Sequence, residues 1–316
     1  MVSHNAFADT VTTTVPVNGA FGVATNPNTG MTYVANGNSY SIQVIRDSTN
    51  TVVANVTTSS TPSYNSGCYT YDVAVNQKTN FIYTNNGACV SSPPSSVPTR
   101  IPQSVSVING INNQVIAVVN LSGDAIDSQP PQSITVNPTT NMVYAMAGRG
   151  SYVAVINGST NQLTASINVP TNNSYNCSCS DITVNPQTNM IYVLGDNLIT
   201  VINGTTNSIV NSFSWGKSSN NGISINPDTN RIYVSNSDNS VSVIDGLTDQ
   251  VISNIPSISY GYVAVNPLTN KIYVSDVTGG NQIAVLDGQT NTLASQVQVG
   301  QNPFGIGIDT NTNKIY

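Results

Sequence analysis

Short runs of alternating apolar and polar residues, separated by turn-forming residues, follow one another along the whole chain. The stretch "NPDTNRIYVSN" (226–236) shows the pattern. Pro fixes φ, and Asn and Asp tolerate the left-handed conformation, so "NPDTN" predicts a turn. The next residues predict a strand, and its three consecutive bulky residues, Ile232, Tyr233 and Val234, are typical of a strand that is buried on both faces.

This turn and strand recur seven times, and each copy contains a tyrosine near its end. Successive tyrosines lie 40 to 61 residues apart, which indicates a repeat of about 40 residues with insertions in the second to fourth units. A second motif, typified by "VING" or "VIDG", follows each of the first six copies. The tyrosines are Tyr33, Tyr83, Tyr144, Tyr192, Tyr233, Tyr273 and Tyr316.

One repeat unit predicts four short antiparallel strands, A to D, at 222–226, 231–235, 240–244 and 250–255. A sheet stacked between two similar sheets explains the doubly buried strand, and radial stacking of such sheets is the β-propeller. We therefore expect an all-β fold, a seven-bladed β-propeller of four-stranded antiparallel blades, with residues 1–316 forming a single domain.

The seventh copy stops at Tyr316 in strand B, so its outer strands must come from elsewhere. Residues 8–19 align without gaps with the strand D segment 248–259. We expect a seventh blade shared between the N- and C-terminal segments, with Val11 and Val15 in its outer strand. An unfilled edge would instead accept a strand from a neighbouring molecule, which leads to a fibre.

The combination of "NPxTNxIYV", "YVAN" or "YVSN", and "VSVIDG" resembles the YVTN-type β-propeller repeat of archaeal and bacterial surface proteins. The likeness covers nearly the whole chain. It implies a propeller and a role in surface layers or adhesion, although related propellers include enzymes.

Charged residues make up only 7% of the chain, and Ser, Thr, Asn and Tyr supply most of its polarity. A β-rich repeat with hydrogen-bonding loops explains this composition. Adaptation to an acidic environment also explains it, because few ion pairs would be lost on protonation. A net charge of −6 with eight Lys and Arg argues against a nucleic-acid partner, which requires clustered basic residues.

The sequence contains no apolar run of 18 residues, so we expect no transmembrane segment in this chain. Residues 1–10 lack the features of a secretory signal, and we expect the signal to lie upstream of a mature or trimmed fragment. Six glycosylation sequons favour an extracellular or cell-surface protein. Their asparagines are Asn55, Asn120, Asn157, Asn172, Asn176 and Asn203.

The four cysteines favour the same compartment. Cys68 and Cys89 fall in loops that open on one face of a blade, so we expect a disulfide between them. A bond between Cys177 and Cys179 would make a small strained ring, and their connectivity stays open. A four-cysteine zinc site is the disfavoured alternative, because the spacing fits no standard finger.

The long insertions all fall in D–A or B–C loops and therefore share one face of the propeller. Insertions grouped on one face often form a binding surface, although long surface loops are also simply tolerated. Aromatic rings favour the binding interpretation. The candidate binding residues on this face are Tyr64, Tyr69, Tyr71, Asp72, Tyr175 and Asp181.

An enzyme would need a side chain that acts as an acid, a base or a nucleophile. The one histidine, His4, lies at the start of the chain. Asp72 and Asp181 near the channel mouth, and Asp124 and Asp127 in a nearby loop, could act in general acid–base catalysis or bind Ca²⁺. Aspartates in such loops more often bond backbone N–H groups.

The sequence therefore predicts a non-catalytic structural or interaction module of the cell surface, without a cofactor, whose partners are other surface proteins or glycans, or further copies in a lattice or fibre. A propeller hydrolase or lyase with carboxylates, and with Ca²⁺ as an optional cofactor, is the alternative. A third interpretation is a sensor or substrate-binding domain of a longer polypeptide.

Overall fold

The computed structural model describes residues 9–58, 69–87, 89–91, 99–121, 133–170, 181–195, 197–219, 221–256 and 258–316. Within these residues the chain forms six four-stranded antiparallel sheets. Strand A of each sheet lies beside strand A of the next, so the sheets stand radially around a common channel. The predicted all-β propeller with four-stranded antiparallel blades is thereby confirmed.

Each blade places its strands in the order A to D from the channel outward. Blade 1 comprises β1 (Ala20–Asn26), β2 (Met31–Asn36), β3 (Ser41–Arg46) and β4 (Thr51–Thr57). Blade 2 comprises β5 (Thr70–Asn76), β6 (Phe81–Asn86), β9 (Ser104–Asn109) and β10 (Gln114–Asn120), with the hairpin β7 (Cys89–Ser91) and β8 (Thr99–Ile101) between its strands B and C. Blade 3 comprises β11 (Ile134–Asn137), β12 (Met142–Ala147), β13 (Tyr152–Asn157) and β14 (Gln162–Asn168), with a short 3₁₀ helix at Gly148–Gly150.

The remaining three blades have the same organisation. Blade 4 comprises β15 (Asp181–Asn185), β16 (Met190–Leu194), β17 (Ile199–Asn203) and β18 (Ser208–Phe213). Blade 5 comprises β19 (Gly222–Asn226), β20 (Arg231–Asn236), β21 (Ser240–Asp245) and β22 (Gln250–Pro256). Blade 6 comprises β23 (Val263–Asn266), β24 (Lys271–Ser275), β25 (Gln282–Asp287) and β26 (Thr292–Gln298).

The prediction of seven blades is wrong, because the described residues form six. The seventh copy of the motif forms only a two-stranded hairpin, β27 (Ile308–Asp309) and β28 (Lys314–Ile315). Strand β27 contacts β23 of blade 6 on one side and β1 of blade 1 on the other. The hairpin therefore fills the gap between the first and last blades without forming a blade of its own.

The expected contribution of the N-terminal segment to a shared blade is also wrong. Residues 9–17 form no strand, and Val11 is 51% exposed. An outer strand needs a strand C to pair with, and no described strand lies beyond β28. The segment instead lies near blade 6, where Asp9 Oδ2 accepts a 3.0 Å hydrogen bond from Lys271 Nζ.

Apolar layers between neighbouring blades form the core of the protein. Five clusters of buried residues lie between blades 1 and 2, 2 and 3, 3 and 4, 4 and 5, and 5 and 6. The strand B tyrosines of the six blades are at most 2% exposed, which agrees with a strand buried on both faces. Outer strands such as β10 and β22 alternate between exposed and partly buried residues, because one of their faces is solvated.

Side-chain amides link each blade to the next. The last residue of every strand A is a fully buried asparagine. Its Nδ2 donates to the Oδ1 of an asparagine in the A–B turn of the following unit, at 2.7–2.8 Å. The donors and acceptors are Asn26 and Asn80, Asn76 and Asn141, Asn137 and Asn189, Asn185 and Asn230, Asn226 and Asn270, and Asn266 and Asn313.

The acceptor asparagines have positive φ angles between 52° and 57°, a conformation that Asn tolerates better than most residues. The glycine of the "VING" motif donates its N–H to the backbone carbonyl of this asparagine, as Gly288 does to Asn270 at 2.9 Å. A Cβ on Gly288 would collide with the Asn270 side chain. The two repeated motifs are therefore parts of one contact.

We expect the substitution Asn270→Ala to lower the free energy of unfolding by about 2–3 kcal/mol, measured by urea denaturation. It removes the acceptor of buried Asn226 and places Ala at positive φ. Asn270→Gly should cost less, because Gly adopts that φ without strain.

Asn291→Ala is the matched control, because Asn291 has φ 54° in an outer turn and its side-chain oxygen has no hydrogen-bond partner. Its cost should be about 1 kcal/mol. Equal losses for Asn270→Ala and Asn291→Ala would show that the link between blades contributes nothing to stability.

Candidate functional site

The start of the strand A segments forms one mouth of the channel. Counting back four positions from the last residue of strand A in the six blades, and from the last residue of β27, gives Gly22, Asp72, Ser133, Asp181, Gly222, Tyr262 and Gly305. All of them except Gly222 line a cavity of about 600 Å³. The B–C loops open on this same face, since Gly87 and Ser237 donate N–H bonds to the carbonyls of Tyr69 and Ser218 in D–A segments.

Asp72, Ser133 and Asp181 come from consecutive blades and meet at the mouth. The Ser133 hydroxyl lies 3.0 Å from Asp72 Oδ2 and 2.7 Å from Asp181 Oδ1. These three residues, which we call the mouth triad, thus tie blades 2, 3 and 4 together.

Each of the two carboxylates also accepts two hydrogen bonds from backbone N–H groups. Asp72 accepts from the N–H groups of Val73 at 2.9 Å and Ile134 at 3.1 Å. Asp181 accepts from the N–H of Ile182 at 2.8 Å and from that of Ile223 in blade 5 at 2.9 Å. Each aspartate therefore bridges its own blade and the next one, which is the structural role that such residues often have.

The mouth triad is short of one proton when both carboxylates are ionised. A hydroxyl group has one hydrogen to donate, so Ser133 can donate to only one of its two carboxylate neighbours. The other contact becomes a hydrogen bond only if that carboxyl group is protonated and donates to Ser133. The geometry therefore favours one shared proton on Asp72 or Asp181.

The pKa values agree with this geometry. Burial raises the pKa of Asp72 to about 6, and the Ile134 and Val73 N–H groups offset part of that effect. Burial raises the pKa of Asp181 to about 7; the Ile223 N–H and Ser133 oppose the rise, and the Asp72 charge adds to it. Because the two groups share Ser133, their titrations are coupled.

An arc of five aromatic rings lies on the other side of the same mouth. Tyr69 and Tyr71 have ring centroids 5.8 Å apart, Tyr71 and Phe21 5.6 Å, Phe21 and Phe304 4.8 Å, and Phe304 and Tyr262 6.1 Å. All five residues are partly exposed. We call this set the aromatic arc, and it runs from blade 2 through blade 1 and the C-terminal segment to blade 6.

The structure brings together four of the predicted binding residues, namely Tyr69, Tyr71, Asp72 and Asp181. Tyr64, Tyr175, Asp124 and Asp127 lie outside the described residues, as do His4, Cys68, Cys177, Cys179, Asn172 and Asn176. Cys89 begins β7, and its side chain is not described. The expected Cys68–Cys89 disulfide therefore stays a prediction.

Four sequon asparagines are described. Asn55 and Asn120 are exposed on the outer strands β4 and β10. Asn157 and Asn203 are partly buried, and their side-chain oxygens accept N–H bonds from Ser159 and Thr205 in the C–D turns. Asn55 and Asn120 are thus the more accessible acceptors for a glycan.

Sequence reasoning missed Ser133, Tyr262, Phe21 and Phe304. An alignment of the repeat units would have identified these four residues by their positions. Ser133 and Tyr262 occupy the position of Asp72 in their own units, and Phe21 and Phe304 occupy the position of Tyr71. None of the four lies in the insertion that drew attention to Tyr71, and none is a carboxylate like Asp72.

The described residues contain no group of three or more His, Cys, Asp or Glu that could hold a metal ion. The same part of the chain has no helix with the length and hydrophobicity of a membrane span.

Neither a known family model nor a curated protein matches this chain. Among solved structures, it is similar to Kuenenia stuttgartiensis hydrazine synthase, with a TM-score of 0.70 and 15% sequence identity over 99% of this chain and 97% of that chain. At this identity the likeness shows the β-propeller fold alone.

We expect the protein to be more stable at pH 4.5 than at pH 7.5. Between the unfolded-state pKa near 4 and the folded-state values of about 6 and 7, the folded protein binds more protons than the unfolded chain. Its free energy of unfolding therefore falls as pH rises through this window, by on the order of a few kcal/mol.

Denaturation midpoints at half-unit pH steps would measure this slope. Asp181→Asn should flatten it, because the amide does not titrate. Leu268→Ala, which removes no titratable group at an exposed A–B turn, should leave the slope unchanged. A wild-type midpoint that rises with pH between 4.5 and 7.5 would refute the shared proton.

Proposed function

We propose that this propeller is a non-catalytic binding module of a cell surface and that its ligand binds over the channel mouth. The aromatic arc is the observation that carries the proposal. Three of its five partly exposed rings, Phe21, Tyr71 and Tyr262, line a cavity of about 600 Å³, and Tyr69 and Phe304 contact these rings. Aromatic side chains offer a large rigid contact area at low entropic cost, which suits a binding surface.

The contacts of the mouth triad support a role without catalysis. Both carboxylates of Asp72 and Asp181 accept backbone N–H bonds from their own blade and from a neighbouring blade. A general base or nucleophile needs a lone pair aimed at the substrate. Residues that join four blades are better suited to hold the rim in shape than to react.

The cell-surface part of the proposal is supported by the sequence. Three sequence features support it, namely the 7% content of charged residues, the sequons and the resemblance to YVTN-type repeats. The exposed sequons Asn55 and Asn120 lie on outer strands, where a glycan would leave the channel mouth open. The proposed partners are surface proteins or glycans, and self-assembly of copies through the D–A and B–C loop face is a further form of the same role.

Binding to a panel of immobilised cell-wall glycans and surface-protein peptides, measured by biolayer interferometry, tests this proposal. The double substitution Tyr71→Ala and Phe304→Ala should weaken binding about tenfold or more, because each ring contributes contact area at the rim. Leu268→Ala is the control, since Leu268 is 70% exposed in an A–B turn at the opposite end of the channel.

Unchanged binding by the double variant would place the ligand elsewhere on the protein. No binding to any member of the panel would count against a binding module. Denaturation midpoints of both variants should be measured alongside, so that unfolding is not mistaken for loss of the site.

A hydrolase or lyase is the second candidate, and one observation favours it. Two carboxyl groups with raised pKa values line the cavity, which is a common feature of acid–base sites. Ca²⁺ held by these carboxylates would be an optional part of such a site.

If either aspartate is catalytic, Asp181→Asn or Asp72→Asn should abolish a hydrolytic or eliminating activity on polysaccharide substrates by about 100-fold or more. Saturating Ca²⁺ at about 100 times its dissociation constant should raise the unfolding free energy of the wild type by about 2.7 kcal/mol if the ion binds there. We expect neither effect, and a clear Ca²⁺ shift that is lost in Asp181→Asn would favour the enzyme.

A further inference from the structure

The charged side chains among the described residues that line the mouth cavity are two aspartates, Asp72 and Asp181. The other titratable side chains among the described lining residues are the phenols of Tyr71 and Tyr262, whose pKa values are raised by burial. Both phenols are neutral at physiological pH. No described lining residue is a lysine or an arginine. The cavity is therefore an unfavourable site for an anion.

The mouth triad also leaves this cavity with an excess of negative charge when it is fully ionised. In that state Ser133 can donate to only one of its two neighbouring carboxylates. A cationic group at the mouth would compensate the negative charge that the shared proton compensates at lower pH. The low-dielectric walls of a cavity strengthen this attraction.

The aromatic arc adds a second and independent attraction for a cation. The faces of aromatic rings carry negative electrostatic potential, and several rings at one site recognise alkylated ammonium groups. Tyr262 belongs to the arc and lies close enough to the triad that Asp181 and Asp72 help to raise its pKa. Phe21, Tyr71 and Tyr262 of the arc line the same cavity as the triad.

We propose that the channel mouth binds an organic cation of the alkylammonium class, with its alkyl groups against the aromatic arc and its charge toward the mouth triad. This inference rests on the proposed function and names the chemistry of its ligand. The group belongs either to a free small amine or to a lysine side chain of a partner protein. In both cases the positive charge of the cation replaces that of the shared proton. The affinity for the cation therefore rises with pH, because the triad loses its proton.

Isothermal titration calorimetry with choline and its uncharged isostere 3,3-dimethyl-1-butanol tests the inference, because the two probes differ chiefly in charge. At pH 7.5 we expect choline to bind about tenfold or more tightly than the isostere. At pH 4.5 this preference should shrink, since the protonated triad carries less negative charge. N-acetyl-lysine methylamide, compared with its norleucine analogue, distinguishes a side chain from a free amine.

Two variants locate the site. Phe21→Ala should weaken choline binding about tenfold, because this ring lines the cavity, and Leu268→Ala should leave it unchanged. Asp181→Asn should reduce the preference for choline over its isostere and remove most of its pH dependence.

Equal affinities for choline and its isostere, or tighter choline binding at pH 4.5, would overturn the inference. Binding of neutral glycans that is lost in Phe21→Ala, without any preference for cations, would overturn this inference and leave the proposed function standing. No binding of any probe or panel member at the mouth would overturn both.

Discussion

Amide-to-amide hydrogen bonds between neighbouring blades are the interaction on which the rest of this structure depends. Apolar packing between blades is strong but non-directional, so it does not by itself fix how far one sheet slides or rotates against the next. The bond from Asn226 to Asn270, and its counterparts at the other joints, fixes one end of each strand A at 2.7–2.8 Å. The acceptor needs positive φ, and the neighbouring backbone needs Gly288 or its equivalent. These combined demands explain why two short motifs recur almost unchanged while the residues between them vary.

Because the last residue of strand A is held in place, the positions of the residues that precede it in the strand are set as well. Four residues from the asparagine, the chain always reaches the channel mouth, and there the side chain is free to differ between units. This chain uses Asp, Ser and Asp on one side of the mouth and places aromatic rings on the other. Gly22 contributes by its small size, because a Cβ there would collide with Asp72. Constant joints thus support a variable rim, which is how one fold can serve many functions.

The sequence predicted the strands and turns of a single blade better than the number of blades. Period, turn residues and doubly buried strands are local properties, and the six complete units follow them closely. Closure of the ring, in contrast, depends on contacts between residues that are far apart in the sequence. Residues 9–17 match a strand D in sequence, yet a strand forms only where a neighbouring strand offers free N–H and C=O groups, and none is described beside β28. At the mouth, the insertions led to Tyr71 and the search for paired carboxylates led to Asp72 and Asp181, whereas the role of Ser133 became apparent only from its two distances to the aspartates.

The joint between the terminal hairpin and blade 1 shows what happens when the amide link is absent. Gly30 stands where the other units have the asparagine of positive φ, Asp47 stands where they have the glycine, and Asp309 replaces the strand A asparagine. Two backbone carbonyls accept hydrogen bonds at this joint instead. The carbonyl of Pro27 accepts from Asn311 Nδ2 at 2.8 Å, and the carbonyl of Asp47 accepts from Lys314 Nζ at 2.7 Å. Asp47 is 2% exposed, and burial raises the pKa of its carboxyl group. A neutral joint has thus become an ionisable one. Protonation favours its folded form, as it does at the channel mouth, because in both places a buried carboxylate replaces a residue that carries no charge in the other units.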